Sequence, residues 1–143
     1  MTESSDFERE LRENGTVVFT VTGDSMMPLL RQHKDIVVIR AITRPLRKYD
    51  TVLFRRPNGV YVLHRIVKVC GGETYQIVGD NRDYPETVPQ AWILGVLSEV
   101  IKDGQHISVE SRVYKQYLQK VKRRRFCFWF KRYVEAVKRI LKR

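Results

Sequence analysis

Cysteine is scarce in this 143-residue chain, with only Cys70 and Cys127, far apart. Two such residues make neither a disulfide framework nor a zinc cluster. No run of about 18 apolar residues occurs, so no helix is expected to span a bilayer. The first eight residues, Met1 to Glu8, are acidic and polar. They lack the positive start and apolar stretch of a secretory signal, and the expected compartment is therefore the cytoplasm. Acids are nearly missing from one stretch. Residues 112–143 hold thirteen basic side chains and a single acid, Glu135, whereas residues 1–111 hold fourteen basic and fifteen acidic ones. The formal net charge of +11 thus belongs to a basic tail on a near-neutral body. That distribution excludes a uniformly basic nucleic-acid-wrapping domain, and no specific nucleic-acid partner is expected.

What is present suffices for a core. At 43% hydrophobic and 10% aromatic residues, global disorder is excluded. Residues 5–13 read as a short helix, with Ser4 or Ser5 as N-cap and Asn14-Gly15 as the stop. From Thr16, β-branched runs recur between turn residues. Seven strands are expected: Thr16–Thr22, Asp35–Arg40, Thr51–Arg55, Val60–Val69, Thr74–Val78, Ile93–Ile101 and Ile107–Glu110. Pro57-Asn58-Gly59 and Gly71-Gly72 read as hairpin turns. The predicted organisation is a helical lead (1–15), a mainly β domain (16–111) and a basic amphipathic helical tail (112–143). In the tail, Tyr114, Tyr117, Leu118 and Val121 form one apolar stripe. Phe126, Phe130, Tyr133, Val134, Val137, Ile140 and Leu141 form another, about 150° away at 100° per residue. Either the helix breaks near 122–125 or its two segments face different partners.

Three segments carry groups fit for chemistry. In Thr22-Gly23-Asp24-Ser25-Met26-Met27-Pro28, a serine leaves a strand through a turn. The bland alternative is an ordinary β-turn before a buried Met-Pro-Leu stretch. In Leu63-His64-Arg65-Ile66, a histidine sits mid-strand between apolar neighbours. A lone strand histidine is more often packed than catalytic, yet a serine nucleophile needs a base with a near-neutral pKa. In Gly79-Asp80-Asn81-Arg82-Asp83-Tyr84-Pro85-Glu86, three acids stand in a loop after a strand. One of them would orient a histidine, or all three are a solvated turn.

The order of these segments resembles the LexA/type I signal peptidase superfamily. The series is Gly-Asp-Ser-Met-Met-Pro, Lys34-Asp35-Ile36-Val37-Val38, Tyr49-Asp50-Thr51-Val52-Leu53-Phe54, His64-Arg65-Ile66-Val67, Gly79-Asp80-Asn81 and Ile93-Leu94-Gly95-Val96. It covers roughly residues 17–100. The resemblance implies a coiled, mostly antiparallel, barrel-like β fold and a serine endopeptidase without metal or cofactor. Ser25 matches the family nucleophile. His64 stands where most bacterial signal peptidases and LexA-type proteins carry a lysine base. Asp80 matches a family acid near the base and is the favoured third catalytic member, with Asp83 and Glu86 as alternatives. The resemblance also implies an oxyanion held by the Ser25 N–H and a backbone donor near Gly23. An extended substrate would lie along a cleft that includes Gly23, Met26 and Leu63. Activity is expected to rise through the His64 pKa, near neutral if unperturbed.

The expected substrate is a precursor protein or peptide. Two other classes compete. A self-cleaving LexA-type regulator fits the serine box, but the 24 residues before Ser25 are too few for a helix-turn-helix domain. A non-catalytic membrane-surface binding protein on the same fold is the third. In the tail, Arg123 to Arg125 and Lys131-Arg132 flank Phe126-Cys127-Phe128-Trp129-Phe130. That pattern suits an anionic membrane surface, so a peripheral location on its cytoplasmic face is expected. The bland reading is a helix packed by one stripe with a solvated basic face.

Overall fold

The chain has been described as a computed structural model covering residues 3–142. It divides after Val109 into two compact units. The first begins with helix α1 (Glu3–Asn14). Gly15 stops this helix at φ 73°, and its N–H donates to the Leu11 carbonyl at 3.0 Å. A left-handed residue there suits glycine, as the sequence implied. Ser4 and Ser5 lie inside the helix, so neither is the expected cap. One face of α1 is apolar. Phe7 packs on Phe19 and Tyr61, with ring centroids 5.0 and 5.6 Å away, and Leu11 is buried.

Eight strands follow, one more than expected: β1 (Thr16–Thr20), β2 (Ile36–Arg40), β3 (Thr51–Arg55), β4 (Tyr61–Cys70), β5 (Thr74–Val78), β6 (Glu86–Pro89), β7 (Ile93–Lys102) and β8 (Gln105–Ser108). They form one antiparallel sheet in the order β1-β2-β7-β3-β4-β5-β6, with β8 on β7. The unexpected strand is β6. Its four residues end in Pro89, and proline is tolerated there because β6 pairs with β5 alone, on the rim of the sheet. β8 starts two residues earlier than expected. The turn before it, Asp103-Gly104, has two positive φ angles of 51° and 78° and closes a tight hairpin.

Register breaks at Val38/Ile39, Leu53/Phe54 and Ile66/Lys68 bend the sheet around its core. β3 sits between β4 and β7 and is buried from Thr51 to Phe54. It reads as an unbroken apolar run because both its faces are covered. Val52 and Phe54 join Ile66, Ile77, Val88 and Ile93 in one cluster. Leu53 points the other way and pairs in register with Leu63. Gly95 permits the close approach of β2 and β7. A Cβ there would lie 2.6 Å from Ile39 Cγ2 and 2.7 Å from the Arg40 carbonyl oxygen.

The second unit is helix α2 (Arg112–Leu141), capped by the Ser111 hydroxyl, which accepts from the Tyr114 N–H at 3.2 Å. The helix is continuous through 122–125, so the change of apolar face happens within one helix. Among the described residues, no helix is long and apolar enough to cross a membrane.

Gly95→Ala is expected to cost about 1–3 kcal/mol, because backbone on one side and Ile39 on the other leave no room for a methyl group. Urea unfolding of the purified variant measures this. An unchanged midpoint would show that β2 and β7 separate freely.

Candidate active site

Ser25 lies in the loop between β1 and β2, and the loop is pinned at both ends. Val21 donates to the Asp35 carbonyl at 3.2 Å, and His33 donates to the Val21 carbonyl at 2.7 Å. The Asp35 carboxylate is fully buried and accepts from the Arg31 backbone and guanidinium and from the Lys102 ammonium. Burial alone would raise its pKa, but these hydrogen bonds outweigh burial and hold it below the ordinary 3.8. Within the loop, Met27 bonds back to Asp24 at 3.1 Å and Leu30 to Met26 at 2.9 Å. Gly23 opens this turn at φ 83°, exposed and with space around its Cα.

His64 sits on β4 opposite Val52. Its Nε2 lies 3.0 Å from the Ser25 Oγ, so the fold brings together two residues 39 positions apart. The Phe54 ring meets the imidazole edge-on at 6.3 Å between centroids. The His64 pKa is pushed down from 6.5 to about 4, chiefly by burial; Glu86 and Asp80 oppose this shift, and the positive charges of Arg56 and Arg82 act with it. His64 is therefore neutral at pH 7 and able to accept a proton. A near-neutral value, expected for an unperturbed ring, does not survive this desolvation.

The expected partnership of Asp80 with His64 is not what the fold makes. The Asp80 carboxylate receives two hydrogen bonds from Arg65, at 2.7 Å from Nε and 2.8 Å from a terminal nitrogen. Arg65 and Asp80 are each at most 1% exposed in their side chains. Arg65 also donates to the Tyr49 carbonyl at 2.9 Å. A buried guanidinium demands a carboxylate more strongly than a neutral imidazole does, which is why Arg65 takes it. The alternatives are no closer to that role. Glu86 pairs with Arg56 at 2.6 Å, and Asp83 is exposed. The His64 Nδ1 is buried and has no hydrogen-bond partner among the described residues. Ser25 and His64 thus form a hydrogen-bonded pair whose ring packs against Phe54.

Met26 and Leu63 were expected along a substrate cleft, but both are core residues, at 1% and 8% exposure. Met26 turns inward under the loop after β5, where its Sδ accepts from the Asp80 N–H at 3.4 Å. Leu63 is covered because both faces of β4 are packed at this point, with Arg65 buried two residues on.

The segment Gly79 to Arg82 clamps the serine loop, a contact that no local pattern in the sequence announces. Asn81 donates its backbone N–H to the Ser25 carbonyl at 2.8 Å and its side chain to the Asp24 carbonyl at 3.1 Å. Arg82 reaches the Asp24 carboxylate at 2.6 Å and thereby lowers the Asp24 pKa. Gly79 lies against the dyad itself. A Cβ there would fall 2.6 Å from the Ser25 carbonyl oxygen, 3.0 Å from its Cβ and 3.2 Å from the His64 Nε2. The visible signal was the arginine in an apolar strand, which needs a buried acid from elsewhere in the chain.

Asp80→Asn should destabilise the protein by about 3–5 kcal/mol, since the buried Arg65 charge loses its counter-charge. Chemical denaturation reads the loss, and a change below about 1 kcal/mol would mean that water reaches the pair. NMR titration of the His64 ring, assigned with His64→Gln, should give a midpoint near 4. Because the unfolded ring titrates near 6.5, His64 lowers stability as pH falls from about 6.5 toward 4. A midpoint at 6.5 in the native protein would contradict the dry environment.

A family model described as Peptidase S24-like matches residues 2–98, a stretch that holds Ser25, His64 and Asp80. No curated protein matches the chain. The match spans more than half of the sequence and agrees with the antiparallel sheet. The chain belongs to the Peptidase S24-like family, within the superfamily of LexA and type I signal peptidases, which includes serine peptidases.

Proposed function

We propose that the chain is a serine endopeptidase that cleaves a precursor protein or peptide, with Ser25 as nucleophile and His64 as general base. The observation that carries this reading is the 3.0 Å contact between the Ser25 Oγ and the Nε2 of a histidine held neutral by burial. Neutral His64 takes the hydroxyl proton as the Ser25 Oγ bonds to the scissile carbonyl carbon. The oxyanion so formed is held by the Ser25 N–H and a backbone donor near Gly23. The charged imidazolium then gives its proton to the leaving amine. Water, deprotonated by the same ring, releases the acyl group from Ser25.

In this reading Asp80 is a positioning residue that acts through Arg65. It fixes the loop that carries Gly79 and Asn81 against Ser25. Phe54 sets the plane of the imidazole. The ring works without a carboxylate on Nδ1, so the imidazolium is poorly stabilised and the base is weak but always available. The pH dependence follows from the direction of the His64 shift. The rate constant kcat/KM should rise with a midpoint well below 6.5 and stay level from about pH 6 to 8. A rate that still climbs above pH 9 would exclude His64 as the base.

Two variants test the assignment. Ser25→Ala and His64→Gln should each lower cleavage of a peptide library by about ten-thousand-fold while the thermal midpoint shifts little. A fluorophosphonate probe should label Ser25 in the native chain and not in His64→Gln. No labelling of the native chain between pH 5 and 9 would leave a non-catalytic binding protein as the better reading. Conversion of the pure protein into two fragments, seen by mass spectrometry and absent in Ser25→Ala, would favour a self-cleaving regulator.

A further inference from the structure

Helix α2 ends in a half that is amphipathic in an unusual arrangement of charge. At about 100° per residue, Phe126, Trp129, Phe130, Tyr133, Ile140 and Leu141 fall within an arc of about 120°. All six are exposed, between 51% and 78%. Lys131, Lys138, Arg132 and Arg139 lie on the other side. Lys131 and Lys138 border the apolar arc on one flank, and Arg132 and Arg139 border it on the other. Glu135, the single acid of residues 112–143, projects about midway between the two cationic flanks, farthest from the apolar face.

We propose that residues 126–142 form an in-plane anchor for an anionic lipid bilayer surface. The helix from Phe126 to Leu141 is about 24 Å long, and no stretch of it is apolar enough to cross. Laid in the interface, the apolar arc enters the acyl boundary to the depth of its aromatic rings. The two cationic flanks then stand at the level of the lipid phosphates on both sides of the helix. Glu135 points to water, where a negative charge meets no repulsion from the headgroups. The Arg132 guanidinium lies 5.4 Å from the Trp129 ring centroid, which holds it beside the apolar face; its second ring neighbour, Phe128 at 5.8 Å, lies on the polar side of the helix.

The charge pattern selects this occupant over a second copy. A paired copy would bring cationic flanks against cationic flanks, with only Glu135 to offset them, and that acid lies centrally on the far side. Single-stranded nucleic acid is disfavoured, because these aromatics crowd one face of a helix and are not spread over a sheet as stacking platforms for successive bases.

The test uses the full chain with vesicles of phosphatidylcholine alone or mixed with phosphatidylglycerol. With anionic vesicles at low salt the protein should sediment, and about 0.5 M salt should weaken binding at least tenfold. In a Trp92→Phe background, Trp129 emission should shift to the blue on anionic vesicles. Phe130→Asp and Ile140→Asp should each weaken binding about tenfold or more, whereas Glu135→Gln should not weaken it. Circular dichroism checks that both variants keep their helix, and their exposed positions put no core at risk. Protein left in the supernatant with anionic vesicles overturns the proposal. So does a dimer in ultracentrifugation whose Trp129 emission is already blue-shifted without lipid, or binding to oligonucleotide in preference to vesicles. The readouts contain no cleavage step, so they stand or fall apart from the peptidase reading.

Discussion

The ion pair between Arg65 and Asp80 is the contact on which the site depends. Both charges are out of water, so neither gains anything by letting go. Their bond joins β4, which carries His64, to the segment after β5, which carries Gly79 and Asn81. Asn81 in turn holds the Ser25 carbonyl, and Gly79 lies against both members of the dyad. A separation of Arg65 from Asp80 would leave each charge in the core without its counter-charge and loosen the segment that clamps the serine loop. The 3.0 Å contact between Ser25 and His64 is therefore supported by two residues whose ion pair involves neither the Ser25 Oγ nor the His64 Nε2.

Dryness around His64 has two opposing effects. It keeps the ring neutral, at a pKa of about 4, and so always ready to accept a proton. It also penalises the imidazolium that the proposed mechanism requires, and no carboxylate on Nδ1 offsets that penalty. Arg56 and Arg82 push in the same direction as burial, while Glu86 and Asp80 oppose it. Burial sets how reluctant the ring is to become charged, and these four charges, each itself paired across the sheet or a loop, modify it. A turn of small residues brings Ser25 into this environment, and Gly79 admits it because any larger side chain would occupy the same space.

Much of the strand pattern was legible because it rests on local alternation and turn chemistry. β3 and β5 match their expected limits, and Gly15 and Asp103-Gly104 end their elements through backbone conformations that suit those residues. β6 was not legible. Four residues that follow one proline and end in another carry almost no periodic signal, and they become a strand only because β5 offers hydrogen bonds along its edge. The same limit applied to the continuity of α2, where two stripes on different faces allowed a break as well as one helix.

Residue types and order by themselves determined the fold class, the serine and histidine worth watching, and the separation of a neutral body from a basic helix. These follow from short-range pattern, and short-range pattern is written in the chain. The tertiary structure alone decided which acid meets which base. Asp80 is fifteen residues from Arg65 and sixteen from His64, and nothing in that spacing distinguishes the two. Burial does, because a charged guanidinium in a dry strand needs a counter-charge and a neutral imidazole does not. Burial also turned Met26 and Leu63 from expected cleft residues into core, since only the packed sheet shows that β4 is covered on both faces.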